Sequence, residues 1–333
     1  MPRSALLARR RFLIASAATG LVPTALPLSA LAKEDAFPSK ALRLVIPFTA
    51  GGGTDLVGRL LADGMGKALK QTVVVDNKPG AGSMIGTDYV AKSAPDGYNL
   101  VVVTTAHAIN PSLMRKMPYK TVDSFAPVAM IGRAPNVLIV RPDSPFKTTQ
   151  DMLAFARANP GKLTYGSSGN GTAVHLAAEL LQNVAGIKLT HVPYRGAGQA
   201  QVDLIGGQLD MVFATIPSAA GAMETGRVRA LGVTSAKRSP IWPAIPTIAE
   251  TGAPGYAAEV WYAVLAKAGT PANVVATLNG AVRTAASSDA FKKQVEAEGL
   301  EVAVSTPEAL RTYLLEEEVR WRKVVQAAGI EPT

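Results

Sequence analysis

The sequence contains no cysteine and only three histidines among its 333 residues. The lack of cysteine excludes disulfide bridges, thiolate catalysis, iron–sulfur clusters and a lipidated cysteine anchor. His107, His175 and His191 lie far apart in sequence, which argues against a metal site built from histidines. There is also no run of five basic residues and no RNA- or DNA-binding motif. We therefore expect no metal, no cofactor and no nucleic-acid partner.

Residues 1–32 have the pattern of an export signal. Four arginines near the start are followed by an apolar run at 12–22, which is too short to span a bilayer. The small residues at 30–32 are typical of a signal-peptide cleavage site. The pattern predicts cleavage near Ala32, a mature chain that begins at Lys33, and a periplasmic location.

The same segment accounts for much of the positive charge. The whole chain has a formal charge of +9, and residues 1–32 hold four arginines and no acid, so subtracting these four charges leaves +5. This modest excess favours anionic ligands slightly. The string Arg9-Arg10-Arg11-Phe12-Leu13 fits a twin-arginine signal, with an arginine-rich general secretory signal as the alternative. No later segment has eighteen apolar residues without a charge, so we expect the mature protein not to be embedded in a membrane.

Short strand-like runs alternate with helical runs along the mature chain. This alternation predicts open α/β sheets, and the length suits two lobes better than one core. We place the two crossings between lobes near Val137–Val140 and Val260–Ala266. The prediction is a first lobe made of 33–137 and 258–333, and a second lobe made of 138–257.

Threonines and prolines predict where several helices begin. Thr149 is expected to cap one helix, Thr270-Pro271 to start another, and Thr306-Pro307 to start the last. The run Glu316-Glu317-Glu318 within this last helix is expected to form a face exposed to solvent.

Three strands end in small loops that are rich in glycine or hydroxyl residues and that begin helices. These loops lie at 49–54, 166–172 and 195–198. A helix N-terminus offers unpaired N–H groups and a partial positive charge, and glycine lets a ligand approach them. Such loops gather at the carboxyl ends of the strands, where ligands bind open α/β sheets. Tight packing of strand against helix is the alternative reason for each loop taken alone.

The stretch Gly80–Gly86 loosely resembles a dinucleotide fingerprint. Four residues separate it from the preceding strand, and no acidic residue follows at the position that would hold a ribose. A packing turn and a ligand-contacting loop are the two remaining interpretations. Beside the third loop, Arg195 could form a paired contact with a carboxylate, and an exposed surface arginine is the alternative.

Residues suited to nucleophilic catalysis are scarce. Ser167-Ser168-Gly169 is not a nucleophile elbow, and no pair of carboxylates is spaced for acid–base work. His175 is expected to cap or pack its helix, His191 to be structural within a strand, and His107 to lie in a loop near the ligand. The aromatic pair Trp261-Tyr262 could line the cleft or pack the hinge. The protein is therefore not expected to be an enzyme.

The sequence resembles the Bug family, the periplasmic solute-binding receptors of tripartite tricarboxylate transporters. The resemblance extends from about Pro38 to Ile330 and rests on motifs that occur in order. These are Pro47-Phe48 with Gly51-Gly52-Gly53-Thr54-Asp55 and Arg59; Asn77-Lys78-Pro79-Gly80-Ala81-Gly82; Pro95-Asp96-Gly97-Tyr98; Asn110-Pro111; Phe125-Ala126-Pro127-Val128; Asn159-Pro160-Gly161-Lys162-Leu163; Tyr165-Gly166-Ser167 with Gly169, Gly171-Thr172 and His175; His191-Val192-Pro193-Tyr194-Arg195-Gly196; Gly206-Gly207-Gln208; Arg229-Ala230-Leu231; and Pro246-Thr247 with Glu250 and Gly252.

The resemblance implies a type II periplasmic binding-protein fold, with the ligand held between two α/β lobes that close on it. Family members typically hold a carboxylate with backbone amides, ordered water and hydroxyl side chains. Carried over by motif, the expected ligand-binding residues are Phe48, Thr49, Gly53, Gly82, Ser83, Thr105, Ala106, His107, Ser167, Gly169, Asn170, Thr172, Tyr194, Ala214 and Thr215.

One position departs from the amino-acid-binding relatives, which carry an aspartate directly after the strand equivalent to 211–213. Here that position is Ala214, so an ammonium group would lose its counter-charge. The ligand is therefore expected to be a carboxylate without an amine, either a di- or tricarboxylate or an aromatic acid. The expected role is a monomeric receptor that delivers this ligand to membrane permease subunits. A ligand-presenting sensor and an exported hydrolase are the alternatives.

Overall fold

The computed structural model describes residues 37–48, 50, 53–194, 197–296 and 299–332. The predicted signal peptide, its cleavage site, and the residues Thr49, Arg195 and Gly196 lie outside these ranges. No helix within them has the length and apolar character needed to cross a membrane.

Strands and helices alternate along the described chain, as the sequence predicts. The strands are β1 Leu42–Ile46, β2 Val73–Asn77, β3 Asn99–Thr104, β4 Phe125–Val140, β5 Thr164–Ser167, β6 Thr190–Pro193, β7 Met211–Thr215, β8 Arg229–Val233, β9 Glu259–Lys267 and β10 Glu301–Val302. The helices are α1 Gly53–Leu69, α2 Met84–Ala91, α3 Ala106–Leu113, α4 Thr149–Ala158, α5 Ala173–Ala185, α6 Ala197–Ile205, α7 Ile216–Glu224, α8 Ala272–Ser287, α9 Asp289–Glu296 and α10 Pro307–Ala327.

One long strand, β4, belongs to two sheets. Its first part, Phe125–Pro135, pairs with β9, which in turn pairs with β3, followed by β1 and β2. Its last part, from Asn136 to Val140, pairs with β7 and β8, and β7 continues to β5 and β6. We call the first set of strands, with β10, sheet 1, and the second set sheet 2.

The inner parallel strands β1 and β3 are mostly buried because helices cover them. The central residues of β3, Val101–Val103, are at most 2% exposed, as expected for a strand packed on both faces. A core of aliphatic residues from β1, β3, α1 and α8 fills one side of sheet 1. A second core joins β3, β4 and β9 to α5 and α10, and a third lies under α6 and α7.

Two of the three predicted helix starts differ from the structure by one residue. The cap of α4 is Thr148, whose Oγ1 accepts from the Asp151 N–H, so the prediction of Thr149 was wrong. Thr149 is instead buried and donates to the Leu231 carbonyl at 3.1 Å. The cap position of α8 is Pro271, not Thr270. The cap of α10 is Thr306, as predicted.

Glu317 contradicts the prediction of a solvent-exposed glutamate face on α10. It is only 3% exposed, and its Oε2 accepts from the indole N–H groups of Trp261 and Trp321, both at 2.9 Å. Its Oε1 accepts from Arg320 at 3.0 Å. The carboxylate therefore joins α10 to β9 inside the core.

Candidate ligand-binding site

A cavity of about 470 Å³ lies where β4 and β9 pass beside sheet 2. This volume is within the range of small-molecule sites, roughly 300–1,000 Å³. None of the described residues that line the cavity is charged. They are Gly53, Thr54, Ala134, Pro135, Asn136, Thr215, Ile216, Ser218, Val260 and Tyr262.

Two helices, α1 and α7, begin at this cavity. Gly53 is the first residue of α1, and Thr215 occupies the cap position of α7. The first backbone N–H groups of a helix have no partner within the helix and carry a partial positive charge. The side chain of Thr215 does not cap α7 but donates to Ser218 Oγ at 3.1 Å. The described lining is therefore neutral in formal charge and includes the starts of two helices.

Asp55, in the first turn of α1, is the acidic group nearest this helix start. It is 3% exposed, and its oxygens accept from Arg59 Nε at 2.9 Å and from Asn77 Nδ2 at 2.8 Å. The pKa of Arg59 is raised by its hydrogen bond with Asp55. Asn77 also donates to the Phe48 carbonyl at 3.1 Å, which fixes the loop after β1. Arg59 thus offsets a negative charge that would otherwise weaken the anion preference of α1.

The loop after β2 has an uncommon backbone conformation. Four successive residues, Gly80 to Ser83, have positive φ angles, and Ala81 and Ser83 adopt them without the freedom of glycine. Asn110 of α3 donates to the Gly82 carbonyl at 2.7 Å and holds the loop in place. Strained backbone of this kind concentrates at ligand-contacting loops. No residue of 80–86 is among the described residues that line the cavity, so both interpretations of this loop stay open.

The loop between β5 and α5 forms a compact unit of predicted site residues. Gly169 N–H donates to Ser167 Oγ at 3.1 Å, and Thr172 Oγ1 donates to the Gly169 carbonyl at 2.7 Å. Tyr194 N–H donates to the Ser167 carbonyl at 3.1 Å, while Asn170 is exposed. A side chain at Gly171 would come within 2.6 Å of Leu113 in α3. This loop therefore lies against the helix that also supports Gly82.

His175 and His191 lie together, although the sequence suggested that the three histidines were scattered. Their rings stack with centroids 4.1 Å apart, and burial lowers the pKa of each imidazole to about 4. His175 Nδ1 accepts from the Gly171 N–H at 3.0 Å, so the prediction that this residue caps or packs its helix is confirmed. His191 Nε2 lies 2.7 Å from Ser167 Oγ.

The contact between Ser167 and His191 was missed by the sequence analysis. A serine–histidine bond is also found in hydrolases, where the serine must be open to substrate. Here Ser167 is fully buried, and its oxygen is also held by the Gly169 N–H. The bond between Ser167 and His191 therefore supports the loop between β5 and α5.

His107 does not lie in a loop, and that prediction was wrong. It belongs to α3, is fully buried, and contacts the Thr121 carbonyl through Nε2 at 2.8 Å. Burial lowers its pKa to about 4. Thr105, also buried, donates to the Glu259 carbonyl at 3.2 Å and accepts from the Trp261 N–H at 3.1 Å. These side chains fasten α3 to sheet 1, and Ala106 is the first residue of α3.

Among the residues that the structure describes, two of the predicted set line the cavity, Gly53 and Thr215. Ala214 is fully buried in the core beneath α6 and α7, so Thr215 lines the cavity in its place. Of the aromatic pair in β9, Tyr262 lines the cavity and Trp261 packs in the core. Asn136 was missed. A single polar residue directly before the apolar run 137–140 was the signal that could have found it.

Comparison with known proteins identifies the family. Residues 57–330 match the tripartite tricarboxylate transporter family receptor. This chain belongs to that family. The structure of the periplasmic binding protein BugD is similar, with 33% identity and a TM-score of 0.74 over 89% of this chain and 100% of that one.

Two further solved structures contain ligands. An R. palustris protein with adipate has 36% identity and a TM-score of 0.76, over 89% of this chain and 100% of that one. MatC from Rhodopseudomonas palustris, with bound malate, has 32% identity and a TM-score of 0.71, over 87% and 100%. The receptor has the two-lobed, type II fold of periplasmic binding proteins, and it is a solute-binding protein and not an enzyme.

Proposed function

We propose that this receptor captures a small organic carboxylate that lacks an amine, in the cavity between β4, β9 and the starts of α1 and α7. The ligand class is a di- or tricarboxylate or an aromatic acid. Adipate and malate, the ligands in the two similar structures, both belong to it. The bound acid is then presented to the membrane permease subunits of the transporter.

The observation that carries this proposal is the composition of the cavity wall. Two helices begin in the lining, α1 at Gly53 and α7 after its cap residue Thr215, and the described lining contains no acidic side chain. A carboxylate is stabilised by such helix starts without a buried lysine. An ammonium group would be buried there without a counter-charge, which is costly. This difference between carboxylate and ammonium groups favours acids without an amine over amino acids.

The proposed lobes follow the two sheets. We assign 33–137 with 258–333 to the first lobe and 138–257 to the second, joined by two crossings. The change of partner in β4 between Pro135 and Asn136 supports a crossing close to the first boundary, and the start of β9 at Glu259 supports the second. Ligand that contacts both lobes would favour their closed arrangement.

A thermal-shift screen of the chain from Lys33 tests the proposed ligand class. Adipate, malate, citrate and benzoate are the acids, aspartate and glutamate are the amino-acid comparisons, and putrescine is the cationic control. A ligand that binds only the folded state raises the melting temperature. We expect at least one amine-free acid to give the largest rise. The largest rise with aspartate or glutamate would contradict the proposal, and recovery of a chemically changed acid would favour the hydrolase alternative.

We also propose export to the periplasm with cleavage near Ala32, as a monomer and by the twin-arginine route. The four arginines at the start of the chain support that route. Sequencing the N-terminus of the exported protein checks the cleavage site, with Lys33 as the expected first residue. Replacing Arg9 and Arg10 by lysine is expected to block export, and unchanged export would indicate the general secretory route.

A further inference from the structure

Asn136 is fixed at the point where β4 passes from sheet 1 to sheet 2. Its N–H donates to Thr234 Oγ1 at 2.8 Å, and its carbonyl accepts from the Thr234 N–H at 2.9 Å. The residue is 1% exposed and forms part of the cavity wall. Because both backbone groups are bonded, Asn136 holds a rigid position in the cavity wall.

The side-chain oxygen of Asn136 lacks a hydrogen-bond partner. Oδ1 is buried and unpaired among the described residues. More than about 90% of buried polar groups in proteins are paired. A leucine of similar size would avoid the cost of an unpaired amide. An unsatisfied amide in the wall of a ligand cavity indicates that its partner arrives with the ligand.

The chemistry of an amide restricts what that partner is. Nδ2 donates to a carboxylate oxygen, and Oδ1 accepts from a hydroxyl group, with the two edges exchanged by rotation of the terminal amide. Neither edge carries the negative charge that would balance an ammonium group. We propose that Asn136 is a specificity-determining residue that hydrogen-bonds the ligand directly through a carboxylate or hydroxyl group and disfavours an ammonium group there. This inference rests on the proposed function of the cavity.

Two substitutions at Asn136 separate the effects of side-chain polarity and charge on binding while the size stays nearly constant. Asn136→Leu keeps the approximate size and removes both hydrogen-bonding edges, and Asn136→Asp keeps the shape and adds a negative charge. Isothermal titration would use succinate, malate and aspartate, which share four carbons and differ by a hydrogen, a hydroxyl and an ammonium group. Adipate and benzoate extend the series to a longer diacid and an aromatic acid.

The expected losses differ between the two variants. Asn136→Leu should weaken binding of the acids by roughly 10-fold, the value of one hydrogen bond, and should remove any preference for malate over succinate. Asn136→Asp should weaken the amine-free acids by roughly 100-fold through like-charge repulsion. It should also shift the ratio of malate to aspartate affinity towards aspartate.

Stability without ligand distinguishes a binding role from a structural one. Removing an unpaired buried amide should raise the melting temperature of ligand-free Asn136→Leu by a few degrees, roughly 2 °C, while its affinity falls. A purely structural role would lower both. Asn183→Asp, at an exposed position, adds the same charge and is the matched control.

The outcomes of this experiment separate the two proposals. Affinities of both Asn136 variants within about twofold of the wild type for every acid that binds, or a lowered ligand-free melting temperature of Asn136→Leu, would overturn the role of Asn136. A wild-type protein that binds none of these acids would instead contradict the proposed function, and the inference with it.

Discussion

The burial of Glu317 was predicted wrongly because its neighbours in sequence are also glutamates. It stands in a run of three glutamates, but helical spacing puts it on the same face of α10 as Leu314 and Trp321, which are buried. Residues three and four apart share a helix face. The spacing was sufficient to predict burial of the middle glutamate. Its two indole partners could not be predicted, because Trp261 lies 56 residues away in sequence.

Replacing Glu317 by alanine should destabilise the fold strongly. The substitution leaves two buried indole N–H groups without an acceptor and releases the Arg320 partner. Each unsatisfied buried donor costs about 1–3 kcal/mol, so we expect a loss of roughly 3 kcal/mol in the free energy of unfolding. Urea denaturation measures it. Glu316→Ala, at an exposed position beside it, is the matched control and should change stability by less than about 0.5 kcal/mol.

At the scale of elements, α5 and β6 are joined by the stacked rings of His175 and His191. Tyr165 of β5 stacks on His191 at 4.8 Å and donates to Glu179 of α5 at 2.5 Å. The two rings support the loop that holds Ser167 and Gly171. The His175 imidazole must be neutral for this arrangement, since protonated Nδ1 of His175 cannot accept from the Gly171 N–H.

The stability of the protein should fall as the pH is lowered from about 6.5 to 4. Burial lowers the pKa values of His107, His175 and His191 from 6.5 to about 4, so the unfolded chain takes up protons first. The contribution of these neutral histidines to stability is fully present at a pH above their pKa in the unfolded chain. It is lost as the pH falls towards their lower pKa in the folded protein. For the fully buried His107 alone, the loss approaches roughly 3 kcal/mol by pH 4, at about 1.4 kcal/mol per pKa unit.

Urea denaturation at about pH 7, 6 and 5 checks this dependence, and NMR titration of the imidazole resonances checks its cause. All three rings should remain neutral in the folded protein at about pH 5.5. Rings that titrate near 6.5 in the folded state, or a urea midpoint that does not change between pH 7 and 5, would contradict the explanation.

Local sequence patterns predicted the helices and strands more accurately than they predicted the contacts between them. The strands at 42–46 and 211–213 and the cap at Thr306 follow from apolar runs and capping residues, which are local properties. The cap of α4 was misplaced by one residue because Thr148 and Thr149 are equally suited by type. The capping box formed by Thr148 and Asp151 decides between them. Contacts such as Ser167 with His191 depend on the pairing of β5 with β6, which no local pattern encodes.

At the scale of the whole molecule, the sequence predicted the two-lobed fold and the kind of ligand but not the composition of the cavity wall. The glycine-rich loop predicted at 49–54 reaches the cavity through Gly53 and Thr54, whereas no residue of the loop at 166–172 is among the described lining. The wall also needs β4 and β9, whose neighbouring residues Pro135 and Glu259 are 124 positions apart. A strand that crosses between sheets resembles any other apolar run, so the single polar residue before the run 137–140 did not by itself place Asn136 in the cavity wall.

Binding of a carboxylate should make the protein more compact. If the lobes close on a ligand held between Gly53 and Thr215, the population of the closed state rises and the radius of gyration falls. Small-angle X-ray scattering of the mature chain measures the change, with saturating adipate or malate compared with putrescine. A radius of gyration that is unchanged by an acid that binds would argue against lobe closure.

The position of β9 between β3 and β4 also governs the order in which the chain can fold. Thr104 pairs with Tyr262, so sheet 1 is incomplete until more than three quarters of the polypeptide has been synthesised. Sheet 2 draws on β4 to β8 and can assemble earlier from contiguous chain. During this interval β3 presents an unpaired edge, which invites association with other chains. Newly made protein should therefore be most prone to association before the last quarter of the chain is made.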